Sequence, residues 1–337
     1  MLTCRICSND ADNPTYEVRE MQLGLRERFT YFRCARCGCL QIAAFPPDMS
    51  AYYPETYYAY VGGSTALPPE RRWTARAAGA RLRNRFAVLR RGALGRVLYR
   101  FWPNEALAAY IDQQLPGNGV GASGLSASSR VLDVGCGAGD LLVALRSAGF
   151  RSLLGIDIYA ADERPMPRAP LIQNRRIHEV SGQWDLVMFH HSFEHMADPR
   201  QVLREVVRLL APDGVCLIRV PLVSSYAWEC YGVDWVQLDA PRHFFLHTEE
   251  SLRLLADEAG LEISKVVYDS TSFQFVASEL YRRDIPLYST PPADGSPTAS
   301  AFTPDEVAVF EQRARDLNAE RRGDQAAFYL RKRRGPA

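Results

Sequence analysis

The feature that most constrains this chain of 337 residues is a glycine-rich turn from Asp133 to Gly139, with the sequence Asp-Val-Gly-Cys-Gly-Ala-Gly. The turn follows an apolar run at Val131 and Leu132, and a helical pattern begins after it at Leu141. Strand, turn and helix in this order predict a site where a ligand lies against backbone that carries no Cβ atoms. The spacing differs from Gly-x-Gly-x-x-Gly, which accepts a pyrophosphate at the helix start. We therefore expect a ligand other than a dinucleotide.

Two carboxylates indicate which ligand the turn would bind. Asp133 ends the first strand, and Asp157 ends a second apolar run about 20 residues beyond the turn, where such folds bind ribose hydroxyls. A carboxylate beside the turn suits a zwitterionic ligand with an ammonium group, such as the methionine end of S-adenosylmethionine. The alternative is a glycine-rich turn and an unrelated surface aspartate. The residues expected to contact S-adenosylmethionine are Asp133, Gly135, Cys136, Gly137, Gly139, Asp157, Ile158 and His190.

Downstream of the turn, strand and helix patterns alternate, which predicts a parallel sheet with helices on both faces. The predicted strands lie near 131–134, 153–157, 171–177, 184–190, 214–220, 262–269, 272–280 and 325–330. The predicted helices lie near 139–148, 199–210, 248–259 and 303–321. The last helix begins with a capping box at Thr303 and a proline at its first position.

These motifs resemble those of a known family. The glycine turn and Asp157 resemble the first two motifs of class I S-adenosylmethionine-dependent methyltransferases, and residues 184–199 resemble their fourth-strand motif. The resemblance implies an α/β fold with a Rossmann-like, seven-stranded methyltransferase sheet, whose last strand is antiparallel and lies beside the strand ending at Val220. We expect this domain to span 126–337, with an excursion over 281–322.

Two Cys-x-x-Cys pairs near the N-terminus predict a metal site. The pairs are separated by 26 residues, and four thiolates from two such hooks suit tetrahedral zinc. Cys39 lies close enough to compete as a ligand, although Cys37 fits the hook better. A catalytic zinc would need an open coordination position, so we expect a structural zinc ribbon over residues 1–48. The expected ligands are Cys4, Cys7, Cys34 and Cys37.

Residues 49–125 are expected to form a tyrosine-rich segment and a helical linker. Most of the tyrosines would pack between domains, and the candidates for substrate contact are Tyr57, Tyr58 and Tyr60. From Arg71 to Arg100 the chain carries ten arginines and no acidic residue, interleaved with apolar residues, which predicts helix with a basic face. One interpretation is a solvated surface. The other is peripheral membrane contact, or a site for substrate phosphate.

Five of the six histidines fall in two groups, after the fourth strand and before the helix that starts near 248. Ligands bind beyond the carboxyl ends of parallel strands, and a neutral imidazole is a suitable base near pH 7. We expect His243 to remove the acceptor proton and His195 to orient the acceptor. His191 and Glu194 are further catalytic candidates. A metalloprotease-type zinc site is disfavoured because Ser192, and not a glutamate, follows His191.

A narrower resemblance is to S-adenosylmethionine-dependent sugar methyltransferases of deoxysugar pathways, which also begin with a Cys-x-x-Cys zinc domain and a tyrosine-rich stretch. It covers roughly residues 1–60 and 130–260. The family's Glu-His pair is Arg242-His243 here, and Arg242 cannot act as the carboxylate base of C-methylation; we expect it to hold a substrate phosphate. The resemblance implies methylation of a sugar nucleotide or surface glycan in polysaccharide biosynthesis, and the departure from the family's motif at Arg242 favours O-methylation. Sugar C-methylation and RNA-base methylation are the alternatives.

The amino-acid composition limits the kinds of molecule that this protein is expected to bind. Lysine and arginine number 40 against 39 acidic residues, which leaves a net charge of +1 and no overall field for nucleic acid. We therefore expect a small-molecule or glycan substrate and no nucleic acid. The first residues lack a signal-peptide pattern, and no window approaches the ~20 apolar residues of a membrane span, so a cytoplasmic protein is expected. A non-enzymatic scaffold is disfavoured by the intact glycine turn and aspartates. The oligomeric state is left open.

Overall fold

The structure is a computed structural model that describes residues 2–54, 57, 74–117, 124–160, 171–288 and 301–333. The strands are β1 (Thr15–Arg19), β2 (Arg28–Arg33), β3 (Leu40–Ile42), β4 (Arg130–Val134), β5 (Ser152–Ile156), β6 (Leu171–Gln173), β7 (Trp184–His190), β8 (Leu210–Pro221), β9 (Phe245–Leu246), β10 (Leu261–Tyr268) and β11 (Gln325–Lys332). The α-helices are α1 (Ala75–Leu89), α2 (Ala93–Phe101), α3 (Glu105–Gln114), α4 (Asp140–Ser147), α5 (Pro199–Leu209), α6 (Tyr226–Tyr231), α7 (Glu249–Ala259), α8 (Phe273–Arg282) and α9 (Pro304–Ala319). Short 3-10 turns include Phe193–His195 and Val236–Leu238.

The larger sheet has seven strands in the order β10-β11-β8-β7-β4-β5-β6. Strands β4 to β8 pair in parallel, whereas β11 is antiparallel to both β8 and β10. The predicted Rossmann-like methyltransferase sheet is therefore confirmed, with its last strand beside β8. The parallel arrangement brings the carboxyl ends of β4, β5 and β7 to one edge, where the glycine turn begins.

Local sequence signals set the ends of the helices around this sheet. Asp198 accepts a hydrogen bond from the Gln201 amide at the start of α5, where Pro199 occupies the first turn. Thr248 caps α7, and the predicted capping box at Thr303 opens α9. The helices bury their apolar faces against β-strand residues such as Leu132 and Val187, which are fully buried.

One predicted element is wrong. Residues 272–280 were expected to form a strand, but Phe273–Arg282 is helix α8. Its apolar and small residues Phe275, Val276, Ala277 and Leu280 are all buried. An apolar run that is buried on most sides does not distinguish a strand from a helix by periodicity, so tertiary packing decides.

The N-terminal residues form a second sheet, in the order β1-β2-β3-β9. Its fourth strand, β9, comes from the segment before α7 and pairs antiparallel with β3. The Tyr31 hydroxyl also donates a hydrogen bond to the His243 carbonyl at 2.9 Å. Side chains of both sheets belong to one continuous apolar core, which includes Phe32, Leu40 and Phe189. The ribbon is thus packed into the body that carries the larger sheet.

Helices α1 and α3 pack against α4, and α2 packs on α1. Val88, Leu89 and Ile111 share a second apolar cluster with Leu141 and Leu145 of α4. The predicted tyrosine-rich segment and linker at 49–125 and the predicted excursion at 281–322 fall partly outside the described residues, at 55–56, 58–73, 118–123 and 289–300. Of the helices in the described part of the chain, none is long and apolar enough to cross a membrane.

Candidate functional site

The glycine turn joins β4 to α4 in a conformation that requires glycine. Gly135 has a φ of +74°, and a Cβ there would lie 2.5 Å from the Cβ of Ser192. Gly139 has a φ of +80°, and a Cβ would lie 2.6 Å from Ile172 Cδ1. Left-handed backbone without room for a side chain excludes other residues at both positions. The Gly137 amide donates to Asp157 Oδ2 at 3.0 Å, which ties the turn to the end of β5.

The two predicted cofactor aspartates lie beside this turn. Asp133 is buried, and its Oδ1 makes no hydrogen bond to any described residue. Burial, together with the nearby charge of Asp157, raises the pKa of Asp133 to about 7. Burial also raises the pKa of Asp157, whose carboxylate accepts the Gly137 and Tyr159 amides. A buried carboxylate oxygen without a partner fits an ammonium group, and this arrangement suits S-adenosylmethionine.

A cavity of about 540 Å³ opens at the carboxyl edge of the sheet. Gly135, Asp157 and Ile158, three of the residues expected to contact the cofactor, line one part of it. Much of the remaining wall is apolar or aromatic. These wall residues include Met49, Tyr53, Tyr57, Tyr159, Ile177, Met196 and Phe244.

Tyr53 and Tyr159 form the centre of the aromatic wall. Their rings stack with centroids 4.6 Å apart and planes 25° apart, although the residues come from segments before and after the glycine turn. Tyr57 packs edge-on against Tyr53 at 5.2 Å. Of the three tyrosines predicted to reach substrate, Tyr57 lines the cavity, whereas Tyr58 and Tyr60 lie outside the described residues.

His195 and His191 supply the histidine side of the same cavity. His195 Nδ1 lies 2.8 Å from the Arg242 carbonyl oxygen and 3.1 Å from the Tyr53 hydroxyl. A proton on Nδ1 is donated to that carbonyl, which leaves the lone pair on Nε2. Burial and the neighbouring His243 lower the pKa of His195, so its imidazole is neutral near pH 7. His191 has a φ of +48°, a strained conformation for a residue with a side chain.

A buried acid–histidine cluster lies behind this wall. Glu194 is fully buried, and its Oε1 lies 3.4 Å from His191 Nδ1 and 3.8 Å from His243 Nε2. Asp239 Oδ2 lies 3.7 Å from the same His243 nitrogen. Burial acts to raise the pKa of Glu194, but the contact with His191 and the charges of the other histidines outweigh it and hold the pKa at about 2. His243 Nδ1 lies 2.7 Å from the Gln237 carbonyl oxygen, which orients the ring.

The positions of the two predicted acid–base histidines differ from the sequence expectation. His195 lines the cavity, whereas His243 is buried 4.7 Å behind it, measured between ring centroids. Glu194 is likewise not part of the cavity wall. His195 therefore has the position expected for His243.

Arg242 does not fit the predicted role of a phosphate ligand. Its side chain is fully buried, and its guanidinium donates to Asp239, to Glu20 at 2.7 Å and to the Tyr52 carbonyl at 3.3 Å. With its donors committed inside the protein, Arg242 connects the ribbon to the segment that carries His243. The arginines that do line the cavity are Arg175 and Arg176, which follow β6.

Other candidates lie close to the cavity without lining it. Both His190 ring nitrogens are buried and make no hydrogen bond to a described residue, and burial and the charge of Arg219 lower the pKa of His190 to about 3. Cys136 packs under the turn, where a Cβ on Gly155 would lie 2.5 Å from its Sγ. Sequence reasoning missed four residues of this region, Asp239, Tyr159, Met49 and Tyr53. Of these four, only Tyr53 carried a sequence signal, because it lies in the tyrosine-rich segment.

The four cysteines of the two N-terminal pairs come together. Cys4 Sγ lies 3.6 Å from Cys37 Sγ, Cys7 Sγ lies 3.4 Å from Cys34 Sγ, and all four sulfur atoms are within 4.8 Å of one another. Zn–S bonds of about 2.3 Å in a tetrahedron require sulfur separations of about 3.8 Å, so the set fits zinc. Cys39 is outside this group, and its thiol faces the Leu40 carbonyl. The amides of Ile6, Cys7, Arg36 and Cys37 donate to Cys4 and Cys34 sulfur atoms.

Comparison with known proteins identifies the central region. A family described as a methyltransferase domain matches residues 89–266. The ubiquinone biosynthesis O-methyltransferase of Pseudomonas aeruginosa (strain LESB58) is 30% identical over 164 residues, which cover 42% of this chain and 68% of that protein. The enzyme of the same description from Bordetella avium (strain 197N) is 32% identical over 157 residues, 40% of this chain and 63% of that protein.

Among solved structures, a SAM-dependent methyltransferase from Archaeoglobus fulgidus aligns with a TM-score of 0.39 and 18% sequence identity, over 68% of this chain and 92% of that one. The curated relatives overturn one expectation. They are named for O-methylation in ubiquinone biosynthesis, so the prediction of a sugar or glycan acceptor in polysaccharide biosynthesis is wrong. The alternatives of sugar C-methylation and RNA-base methylation do not agree with those names either. Because the family match spans more than half of the chain, this protein belongs to the methyltransferase-domain family and is an S-adenosylmethionine-dependent methyltransferase.

Proposed function

We propose that this protein methylates a hydroxyl group on the aromatic ring of a small acceptor. The observation that carries the proposal is the cavity wall, where Tyr53, Tyr57 and Tyr159 surround a space that also meets His195. Stacked and edge-on tyrosines provide flat apolar surfaces for a ring. The relatives named for ubiquinone biosynthesis support an acceptor of the phenol or quinol class.

The chemistry of such an acceptor matches the groups at the cavity. A phenol has a pKa near 10, as tyrosine does, and is therefore much easier to deprotonate than an alcohol. A neutral histidine is sufficient as its base. Apolar and aromatic residues predominate around the space, and this favours an aromatic ring over a heavily hydroxylated acceptor.

We assign the proton transfer to His195. Its Nε2 takes the proton of the acceptor hydroxyl, which leaves the oxygen lone pair able to accept a methyl group. When bound, S-adenosylmethionine would supply that electrophilic methyl group, and its sulfonium would become a neutral thioether. The negative charges of Glu194 and Asp239 favour the imidazolium that forms, since both raise the pKa of His195. His243 holds its place between these carboxylates, with Nε2 toward both.

We also propose how the cofactor is held. Asp133 would pair with the ammonium group, the turn from Gly135 to Gly139 would hold the methionine end, and Asp157 would bind the ribose. Ile158 would contact the base. The support for these roles is the Asp133 oxygen that has no partner among the described residues, and the position of Asp157 at the end of β5.

Finally, we propose that residues 1–48 bind one zinc ion through Cys4, Cys7, Cys34 and Cys37, that 49–125 connect the ribbon to the methyltransferase domain, and that the enzyme works in the cytoplasm. The zinc would be structural, because four thiolates leave no open coordination position. Its effect on catalysis would be indirect, through the pairing of β3 with β9 next to His243.

A competition assay tests the acceptor class. Purified enzyme is incubated with methyl-labelled S-adenosylmethionine and either a catechol-type quinol precursor with a shortened tail or a nucleotide sugar. We expect label on the catechol oxygen, identified by mass spectrometry, and none on the sugar. Transfer to the sugar alone would reject the aromatic acceptor.

A further inference from the structure

A second group of metal-ligand side chains lies beside the cavity, apart from the four cysteines of the ribbon. Glu194 and His195 come from the 3-10 turn after β7, and His243 comes from the segment before β9. One carboxylate oxygen of Glu194 and one ring nitrogen of each histidine lie within 4.8 Å of one another. Ligand atoms about 2.1 Å from a zinc ion are about 3.4 Å apart in a tetrahedron, so a small inward shift would close this set around an ion. We call Glu194, His195 and His243 the His–Glu triad.

Both histidines of the triad have the contacts that metal ligands usually have. Nδ1 of His243 lies 2.7 Å from the Gln237 carbonyl oxygen, and Nδ1 of His195 lies 2.8 Å from the Arg242 carbonyl oxygen. A metal-bound imidazole typically donates its other ring N–H to such a carbonyl, which fixes the ring and its tautomer. With the proton on Nδ1 the lone pair lies on Nε2, and Nε2 of His243 is 3.8 Å from Glu194 Oε1.

Glu194 is the residue that points to a cation. Its side chain is fully buried, and neither carboxylate oxygen has a hydrogen-bond partner among the described residues. The ring nitrogens of His191 and His243 approach Oε1 only to 3.4 Å and 3.8 Å. The nearby guanidinium of Arg242 is committed to two other carboxylates. Because a buried carboxylate is costly without a positive partner, a cation between Glu194 and the histidines would stabilise it.

The ligand atoms of the triad indicate which ion would bind. Two imidazole nitrogens and one carboxylate oxygen suit Zn²⁺ and the neighbouring transition metals, whereas Mg²⁺ and Ca²⁺ prefer oxygen ligands. Asp239 adds negative charge, with Oδ2 at 3.7 Å from His243 Nε2. His195 is half-buried and lines the cavity, which gives an ion a path to the triad.

We propose that the His–Glu triad binds one divalent transition-metal ion, and that this ion inhibits methyl transfer. The inhibition, though not the binding, rests on the proposed function of His195 as the base. A neutral imidazole has a single basic lone pair. Once that pair is donated to an ion, the other ring nitrogen carries the proton, and His195 cannot take a proton from the acceptor. The ribbon zinc would thus be structural, whereas the ion in the triad would regulate turnover.

A metal titration tests the site without any acceptor. Full-length protein that carries its ribbon zinc is dialysed against a mild chelator and titrated with Co²⁺, whose visible absorption reports its ligands, unlike that of Zn²⁺. We expect one further ion per chain, with the weak absorption bands of cobalt bound by nitrogen and oxygen. The intense bands of cobalt bound by thiolate would show that the ion had entered the ribbon, and would count against the triad.

Variants of the triad locate the ion. Glu194→Gln and His195→Gln should each weaken Co²⁺ binding by at least about a hundredfold, because loss of an outer-shell partner alone weakens metal binding by about 10–100-fold. His195 is only half-buried, so His195→Gln remains informative if Glu194→Gln does not fold. The matched control is Cys230→Ser combined with His178→Gln, which removes an exposed thiol and an exposed imidazole. Co²⁺ binding of this control should be unchanged.

Turnover is then measured with the acceptor that the competition assay identifies. Zn²⁺ that saturates the triad should lower kcat by roughly 10²–10⁴, the usual contribution of a general base, and leave the affinity for S-adenosylmethionine nearly unchanged. Chelation should restore kcat while elemental analysis still finds the ribbon zinc. Zn²⁺ should have little further effect on the residual turnover of His195→Gln.

Two kinds of result would overturn the proposal. Absence of a further ion, or binding that neither triad variant weakens, would reject the site and leave a shared proton as the positive charge beside Glu194. A bound ion that leaves kcat unchanged, or raises it, would reject the inhibition. Because the Co²⁺ titration needs no acceptor, failure of the aromatic-acceptor proposal is distinguishable from failure of the metal site.

Discussion

The two sides of the cavity are built in different ways. The cofactor side consists of one continuous turn and one nearby aspartate, Asp157, which all lie at the ends of adjacent strands. The acceptor side brings together Tyr53, His195 and Phe244, and the contacts behind it join residues as far as 222 positions apart. A short motif therefore determines the first side, whereas the second depends on the correct packing of the ribbon against the sheet. The two sides should therefore fail independently when residues of one side or the other are changed.

The largest effect is expected from loss of the metal site. Cys34→Ser should abolish binding of one zinc per chain and lower turnover at least a hundredfold, since apparent zinc binding energies of about 10–16 kcal/mol stabilise such ribbons. Zinc is measured by elemental analysis of protein prepared without chelator. Cys230→Ser is the control, because Cys230 is an exposed free thiol elsewhere in the chain. Full turnover in zinc-free protein would show that the acceptor side does not need the ribbon.

The next effect concerns the base. His195→Ala should lower kcat by roughly 10²–10⁴, the usual contribution of a general base, while the affinity for S-adenosylmethionine stays nearly unchanged. His178→Ala is the matched control, since His178 lines the cavity but is exposed, and it should leave kcat close to its original value. His243→Ala should cost less than His195→Ala. The opposite order of these two variants would return the base to His243, as expected from the sequence.

A smaller effect is expected on the cofactor side. Asp157→Ala should weaken S-adenosylmethionine binding by about 1–3 kcal/mol, the cost of removing one partner of buried hydrogen bonds. Titration calorimetry measures it, and kcat at saturating cofactor should change little. Unchanged affinity would argue against ribose binding at Asp157.

The smallest effect is a pH dependence that also divides the two sides. Since the pKa of Asp133 is about 7, the carboxyl becomes protonated as pH falls below 7, and a protonated carboxyl binds an ammonium group poorly. Cofactor affinity should therefore fall, by up to about tenfold per pH unit below 7, and Asp133→Asn should remove this dependence. The pKa of His195 is lowered from 6.5, so kcat at saturating cofactor should hold until the pH is below 6.5. A common pKa for both quantities would contradict this separation.

The sequence predicted the turn and the strands of the cofactor side well, because the information that determines them is local. Glycines at 135, 137 and 139 and the strands around them follow from turn chemistry and hydrophobic periodicity. The spacing of the four cysteines predicted their cluster equally well. The acceptor side could not be predicted in this way. Asp239 carries no sequence signal, and which of His195 and His243 lines the cavity depends on the pairing of β3 with β9. Helix α8 was mistaken for a strand for a related reason, since burial on most sides removes the periodic pattern.

The position of Arg242 has a consequence for engineering this protein. Its guanidinium is shared between Glu20 of the ribbon and Asp239 of the segment before β9, and all three side chains are buried. Removing residues 1–48, or grafting the ribbon of another protein, would leave the guanidinium of Arg242 buried with only one of its two carboxylate partners. This would lower the free energy of unfolding by about 3–5 kcal/mol. A chimera would therefore have to exchange the ribbon together with the segment 237–247. Insertions or fusions are better directed to parts of the chain outside this contact.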